Sequence, residues 1–140
     1  MSFNEIMDRA IDINFANRQK KFKFSLSRFD YYKNFCTITV NTGRGTGKTK
    51  WIQDHVGFND LVILPTLVQV DHFYKSVPDI TSVTTFNSSM PFLRGSRKGI
   101  VNVYIDNFSE YRNSFYYDGF LQDFIASEYV ELEHTFFLIG

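Results

Sequence analysis

The chain has 140 residues, 44% of them hydrophobic and 21% charged, and its formal net charge is zero. This length and composition predict one globular domain with its own core, and zero net charge argues against a surface that coats nucleic acid broadly. Apolar runs fall short of the ~20 residues that span a bilayer, the N-terminus lacks the features of a secretory signal, and the single cysteine, Cys36, cannot form an internal disulfide. We therefore expect a cytoplasmic protein with no membrane partner.

Charge is unevenly distributed along the chain. Residues 1–50 hold ten Lys/Arg and four Asp/Glu, whereas residues 106–140 hold one Arg and seven Asp/Glu. The two ends could be opposed within the fold, or they could meet head to tail between copies in a homo-oligomer. Two separately solvated faces explain the same pattern.

The N-terminal part predicts a helix, a basic segment and a first strand. Ser2 and Glu5 form an S-x-x-E capping box, and apolar residues at helical spacing predict a helix over about 3–17. Residues 18–29 alternate basic and aromatic side chains, which is typical of an edge strand with its lysines outward. The same residues could instead contact nucleic acid by charge and stacking. An apolar, β-branched run then predicts the first strand over 35–41.

The rest of the chain alternates helices with strands. Helices are predicted over about 48–56, 66–76 and 114–127, strands over 61–64, 82–86, 100–105 and 135–139, and a polar loop over 87–99. In the helix that follows Thr66, the apolar residues predicted to face the sheet are Leu67, Val70, Phe73 and Tyr74. This alternation predicts an α/β fold in three layers with a mostly parallel five-stranded sheet, in which residues 1–34 lead into a core at 35–140.

A glycine-rich segment joins the first predicted strand to the helix that begins at Lys48. Residues 41–49 read Asn-Thr-Gly-Arg-Gly-Thr-Gly-Lys-Thr and match the pattern G-x-x-x-x-G-K-[ST], except that Thr42 replaces the first glycine. Glycines let backbone N–H groups approach phosphate oxygens, and the helix N-terminus adds partial positive charge. We predict a phosphate-binding loop, or Walker A motif, for ATP and Mg²⁺, made of Gly43, Arg44, Gly45, Thr46, Gly47, Lys48 and Thr49. The alternative is a glycine-rich turn that ends in Lys-Thr by chance.

Asp106 is the predicted acidic partner of this loop. It is the first acidic residue after the strand at 100–105, and the carboxyl ends of parallel strands meet at one edge of a sheet. Its carboxylate would hold Mg²⁺ through a water, beside the Thr49 hydroxyl, while Lys48 reaches the β- and γ-phosphates. The alternative role for Asp106 is a cap on the turn after the strand.

Three more residues bear on hydrolysis. Many ATP-hydrolysing proteins of this class place Glu directly after the metal-binding Asp, whereas this chain has Asn107, whose amide can orient water but cannot accept its proton. Glu110 could substitute for that Glu or be a surface carboxylate. Arg44 could bend over the γ-phosphate or face solvent. The predicted catalytic set is therefore Lys48, Arg44, Asn107 and Glu110.

Aromatic and histidine residues add little to this prediction. Phe29, Tyr31 or Tyr32 could pack on a nucleotide base, although core packing is the default in so aromatic a chain. Three histidines lack metal-ligand spacing and receive no role: His55, His72 and His134.

The run from Thr42 to Thr49, with Arg44 inside it, resembles the arginine-containing phosphate loop of large terminase subunits, the viral DNA-packaging ATPases. Leu64-Pro65-Thr66 followed by Gln69 is similar to a turn in those enzymes and in related helicases, Val103 to Asp106 is similar to their second acidic motif, and Phe137 to Gly140 to the strand of their coupling motif. The resemblance implies an additional-strand P-loop NTPase in which Arg44 is an internal arginine finger. A viral source would place the protein in the host cytoplasm.

Two functions of different classes follow. The first is an ATPase related to nucleic-acid motors such as DNA-packaging or helicase-type enzymes, acting on nucleic acid or within a ring of copies, and the phosphate-binding loop, Arg44 and Asp106 favour it. The second is a nucleotide-binding module with little intrinsic hydrolysis, either a regulator or a subunit completed by a protein partner. Asn107, a chain that ends before the coupling residue and zero net charge favour the second. The first is the preferred class, and hydrolysis itself stays open. A small-molecule kinase is a third option, against which the lack of an Arg-rich lid argues.

Overall fold

A computed structural model describes residues 2–18, 27–41, 47–57, 60–76, 83–85, 102–106, 115–126 and 134–140. Its helices are α1 (Phe3–Arg18), α2 (Arg28–Phe35), α3 (Lys48–His55), α4 (Leu67–Ser76) and α5 (Phe115–Ala126). Its strands are β1 (Thr37–Val40), β2 (Leu61–Ile63), β3 (Val83–Thr84), β4 (Asn102–Asp106) and β5 (Thr135–Ile139). None of these helices is both long enough and apolar enough to cross a membrane.

The five strands form one sheet in the order β1-β5-β4-β2-β3, and every pair is parallel. The predicted α/β class and parallel sheet are therefore confirmed. β5 lies between β1 and β4, with Ile139 opposite Val40 on one side and Asp106 on the other. All five β5 side chains are buried, which explains the uninterrupted apolar run in this part of the sequence.

Helices cover both faces of the sheet. One core cluster joins α1, α3 and α4 to the sheet through residues such as Met7, Ile52 and Phe73. The other joins α2 and α5 to the opposite face, with Leu121 and Phe124 fully buried.

The connections from β1 to β2 and from β2 to β3 run one way across the sheet, and the connection from β4 to β5 runs the other way. Right-handed crossovers of opposite direction must lie on opposite faces, which accounts for this division of the helices.

The predicted first strand, 35–41, is wrong at its N-terminal end, because the residues that lead into it form a helix that the sequence analysis missed. Phe35 is the last residue of α2, and Cys36 is its C-cap, with its N–H donating to the Tyr32 carbonyl at 3.2 Å. β1 begins only at Thr37. Cys36 is buried, as expected of a small apolar side chain.

Local capping and packing explain why α2 forms. The hydroxyl of Ser27 accepts a hydrogen bond from the backbone N–H of Asp30 at 3.1 Å, which is an N-cap. Tyr32 then enters the core beneath α5, and Lys33 forms a 2.9 Å salt bridge with Asp118 of that helix. The dense aromatic residues favour a strand by propensity, but the cap and the contacts with α5 outweigh that preference.

Arg18, placed by the sequence at the start of a basic edge segment, instead closes α1. Arg18 is only 6% exposed, and its guanidinium donates to the carbonyl of Phe35 at 3.2 Å and to the hydroxyl of Thr135 at 2.7 Å. Asn14 donates to the same carbonyl at 2.8 Å. These contacts tie α1 to α2 and to the start of β5, so Arg18 is not available to nucleic acid. Residues 19–26, which carry the rest of that predicted segment, lie outside the described residues.

One predicted core residue of α4 faces solvent. Val70 and Phe73 are buried, as predicted, but Leu67 is 68% exposed. Leu67 is the first residue of α4, directly after Thr66, whose hydroxyl accepts from the N–H of Gln69 at 3.3 Å. Helical periodicity alone does not show at which turn a helix begins to contact the core, and the Leu67 side chain lies before that point.

Asp60 is a buried carboxylate at the start of β2. One carboxylate oxygen accepts from the N–H of Gly57 at 2.8 Å and the other from the N–H of Asn102 at 3.1 Å, so one side chain joins the end of α3 to the start of β4. Burial raises the pKa of Asp60, and these two hydrogen bonds oppose that rise.

We expect Asp60→Ala to lower the free energy of unfolding by about 2–4 kcal/mol, because it leaves two backbone N–H groups without their acceptor. Urea denaturation of both proteins measures the difference. Asp54→Ala is the matched control, since Asp54 is exposed and pairs with Lys50 along α3 at 3.4 Å. Its expected cost is about 0.5 kcal/mol or less. Equal costs for the two variants would contradict the role given to Asp60.

Candidate functional site

The carboxyl ends of the strands bring three segments of the chain to one edge of the sheet. After β1 the chain reaches α3, which begins at Lys48, and after β2 it reaches α4. Asp106 is the last residue of β4, which lies between β5 and β2 in the sheet. The connections after β2 and β4 lead to opposite faces, so a crevice opens between these two strands. Crevices of this kind are where open α/β sheets bind ligands.

Gly47 sets the direction of α3. It is the N-cap residue of this helix and has φ +82° and ψ 22°, in the left-handed region that favours glycine. The N–H of Trp51 donates to its carbonyl at 2.9 Å, which is the first hydrogen bond of the helix. A Cβ atom on Gly47 would meet nothing within 4 Å, so the backbone conformation, and not space, requires glycine here.

Thr49 and Asp106 meet at this edge. The hydroxyl of Thr49, on the first turn of α3, donates to a carboxylate oxygen of Asp106 at 2.7 Å. Thr49 is exposed, whereas Asp106 is only 1% exposed. The carboxylate therefore lies beneath the start of the helix, and the hydroxyl lies between it and solvent.

A cavity of about 150 Å³ adjoins this pair. Gln53 borders it from α3, one helical turn beyond Thr49, and Gln69 and His72 border it from the first turns of α4. The remaining lining residues are Leu64, Phe73, Thr49 and Asp106. The cavity thus combines an apolar part at the sheet with polar side chains that face the strand edge.

The structure brings together four of the predicted site residues, namely Gly47, Lys48, Thr49 and Asp106. Their roles stay predictions. Six others lie outside the described residues: Gly43, Arg44, Gly45, Thr46, Asn107 and Glu110. Tyr32 is buried in the core on the face opposite α3, and Phe29 and Tyr31 pack against the same cluster, so these aromatics are core residues.

Three polar residues of the cavity received no site role from the sequence: Gln53, Gln69 and His72. Gln69 entered only as part of a resemblance, and His72 was set aside for lack of metal-ligand spacing. Helical spacing held a usable signal, because Gln53 follows Thr49 by four residues and His72 follows Gln69 by three. Which two helices share a cavity depends on the strand order, and no local pattern contains that order.

The oxygen atoms at this edge suit Mg²⁺. A threonine hydroxyl and a carboxylate are hard oxygen donors, and Mg²⁺ commonly takes one or two protein ligands and completes its shell with water and phosphate. Within the described part of the chain, no group of three or more His, Cys, Asp or Glu side chains could hold a metal ion. The donor types of Thr49 and Asp106 are compatible with a Mg²⁺ site that water and a phosphate ligand complete.

Comparison with protein-family models, with curated proteins and with solved structures gives no match for this chain. We therefore infer its function from the residues and their geometry alone.

Two glycine substitutions should have opposite effects on stability. Gly47→Ala forces alanine into the left-handed region and should cost about 1–2 kcal/mol. Gly119→Ala is the matched control, because Gly119 lies inside α5 and a Cβ there also meets nothing within 4 Å. Alanine should stabilise α5 by about 0.5–1 kcal/mol. Thermal or urea unfolding measures both, and a neutral Gly47→Ala variant would rule out the backbone requirement.

Proposed function

We propose that this protein binds a Mg²⁺–nucleoside triphosphate, with ATP as the expected nucleotide, and that it is a P-loop ATPase of the additional-strand class. The 2.7 Å hydrogen bond between Thr49 and Asp106 carries this proposal. The glycine-rich motif predicts Thr49 as a magnesium ligand, and the acid at the end of a buried strand predicts that Asp106 holds the same ion through a water. These are separate arguments from segments 57 residues apart, and the two side chains lie in contact.

The strand order supports the class. β1 precedes the glycine-rich segment, β4 ends in Asp106, and β5 is inserted between them. A strand in that position is what the term additional-strand denotes. The resemblance to packaging ATPases and helicases, carried by the residues from Thr42 to Thr49, adds DNA as the expected partner of the active form.

Each residue has a distinct task in this proposal. The N–H groups at the start of α3, after Gly47, face the phosphates, and the Lys48 ammonium neutralises their charge. Thr49 and Asp106 hold Mg²⁺, the latter through a water. When bound, Mg²⁺ draws negative charge from the phosphate oxygens. Arg44 adds positive charge over the terminal phosphate as an internal arginine finger.

Nucleotide binding tests the proposal directly. Trp51 is the single tryptophan of the chain and lies on α3 three residues after Lys48, so its fluorescence reports events at the start of this helix. We expect Lys48→Ala to weaken ATP binding by about 10- to 100-fold, as loss of a charged hydrogen bond does. Thr49→Val and Asp106→Asn should remove the part of the affinity that depends on Mg²⁺ and leave the rest.

Lys50→Ala is the matched control for Lys48→Ala. The Lys50 side chain is 78% exposed and pairs with Asp54 on the outer side of α3, so its loss should leave nucleotide binding almost unchanged. Equal losses in the two variants would indicate a general charge effect. A wild-type protein that binds no nucleotide with Mg²⁺ would refute the proposed function.

A regulatory module with little intrinsic hydrolysis is the second candidate, and Asn107 in the position of the usual Glu favours it. Phosphate release from wild type and Asn107→Glu, each with and without DNA, separates the two candidates. For a regulatory module we expect little release from wild type and a gain of about 10²-fold in the variant, the lower end of what a general base contributes. Rapid release from the isolated wild type would exclude the regulatory module.

A further inference from the structure

The cavity beside Thr49 and Asp106 has more polar side chains than metal binding requires. Gln69 and His72 come from α4, an element that neither the glycine-rich motif nor Asp106 involves. The cavity also borders Thr49 and Asp106. A group that extends from the proposed metal site into the cavity would therefore lie near Gln69 and His72.

The size of the cavity restricts what it can hold. The volume of the cavity is about 150 Å³. Sites for whole drug-sized molecules are larger, about 300–1,000 Å³. A phosphoryl group with one or two waters fits this space.

Hydrogen bonds at the start of α4 determine what Gln69 offers. The Thr66 hydroxyl accepts from the N–H of Gln69 at 3.3 Å and donates to the Gln69 side-chain carbonyl oxygen at 3.2 Å. The carbonyl end of this amide thus serves the helix cap, and the amide nitrogen is its donor end. A donor next to a metal site suits the anionic oxygens of a terminal phosphate.

The other end of α4 is fastened to the sheet. The hydroxyl of Tyr74 accepts from the N–H of Val83 at 3.3 Å and donates to its carbonyl at 3.5 Å, which joins α4 to the edge strand β3. Among the described residues, the first turn of α4 shows no such hydrogen bond to β3, and Leu67 and Val68 on it are 68% and 65% exposed. Contacts made by Gln69 therefore act on an exposed turn of the helix.

We propose that this cavity receives the third phosphate of the bound nucleotide, and that Gln69 and His72 make α4 the element that distinguishes a triphosphate from a diphosphate. This inference rests on the proposed function, because it requires a Mg²⁺–nucleotide at Thr49 and Asp106. It goes further in assigning the discrimination to α4 and not to the glycine-rich segment.

The test compares the affinities of the full chain for a non-hydrolysable ATP analogue and for ADP, both with Mg²⁺, followed by Trp51 fluorescence. Gln69→Ala and His72→Ala should each reduce the preference for the triphosphate by about tenfold, with little change in ADP binding. Gln69→Glu keeps an acceptor for the cap but places negative charge against the phosphate, so its preference should fall further. Asp71→Asn, an exposed position on α4 between them, is the matched control and should keep the wild-type preference.

The outcomes separate the two proposals. Wild-type protein that binds neither nucleotide refutes the proposed function, and the inference about α4 with it. Wild-type protein that binds both nucleotides equally well overturns the inference alone. So does an equal loss of both affinities in Gln69→Ala and Gln69→Glu, which would mean that Gln69 only supports the helix. Urea denaturation confirms that each variant is folded before it is compared.

Discussion

The hydrogen bond between Thr49 and Asp106 is the contact on which the functional interpretation depends, and it is a property of the whole sheet. Thr49 is placed by β1 and by the left-handed turn at Gly47, and Asp106 is placed by β4. These two strands do not touch, because β5 lies between them and pairs with both. Their carboxyl ends are level because Ile139 of β5 is opposite Val40 on one side and Asp106 on the other.

The same contact has an energetic cost. Asp106 is 1% exposed, and a carboxylate removed from water is unfavourable unless hydrogen bonds or a cation compensate. The Thr49 hydroxyl offsets part of that cost, and in the proposed function a bound divalent cation would offset more. Asp60, buried at the opposite ends of the strands, accepts hydrogen bonds from two backbone N–H groups.

Much of the fold follows from local patterns. The uninterrupted apolar runs of β2 and β5, the caps at Ser2 and Thr66 and the start of α3 at Lys48 could all be read from the sequence, because each depends on neighbouring residues. The exposure of Leu67 on the first turn of α4 and the whole of α2 could not be read in this way, since whether Leu67 and Tyr32 contact the core depends on partners distant in sequence. The site divides in the same way. Thr49 and Asp106 belong to recognisable patterns, whereas Gln53, Gln69 and His72 are drawn together only by the strand order.

The central position of β5 has a consequence for how the protein acquires its site. β1 and β4, the two strands that pair with β5, both precede it in the chain and are synthesised before it. Until residues 135–139 are in place, β1 and β4 have no common neighbour and the start of α3 has no defined distance from Asp106. Contacts between such distant parts of a chain form slowly, because the entropy of closing the loop is lost before the contact is gained. Thr49 and Asp106 therefore come into contact only once β5 is in place, and because the β5 side chains belong to both core clusters, detachment of β5 would dismantle the site together with the packing of the helices.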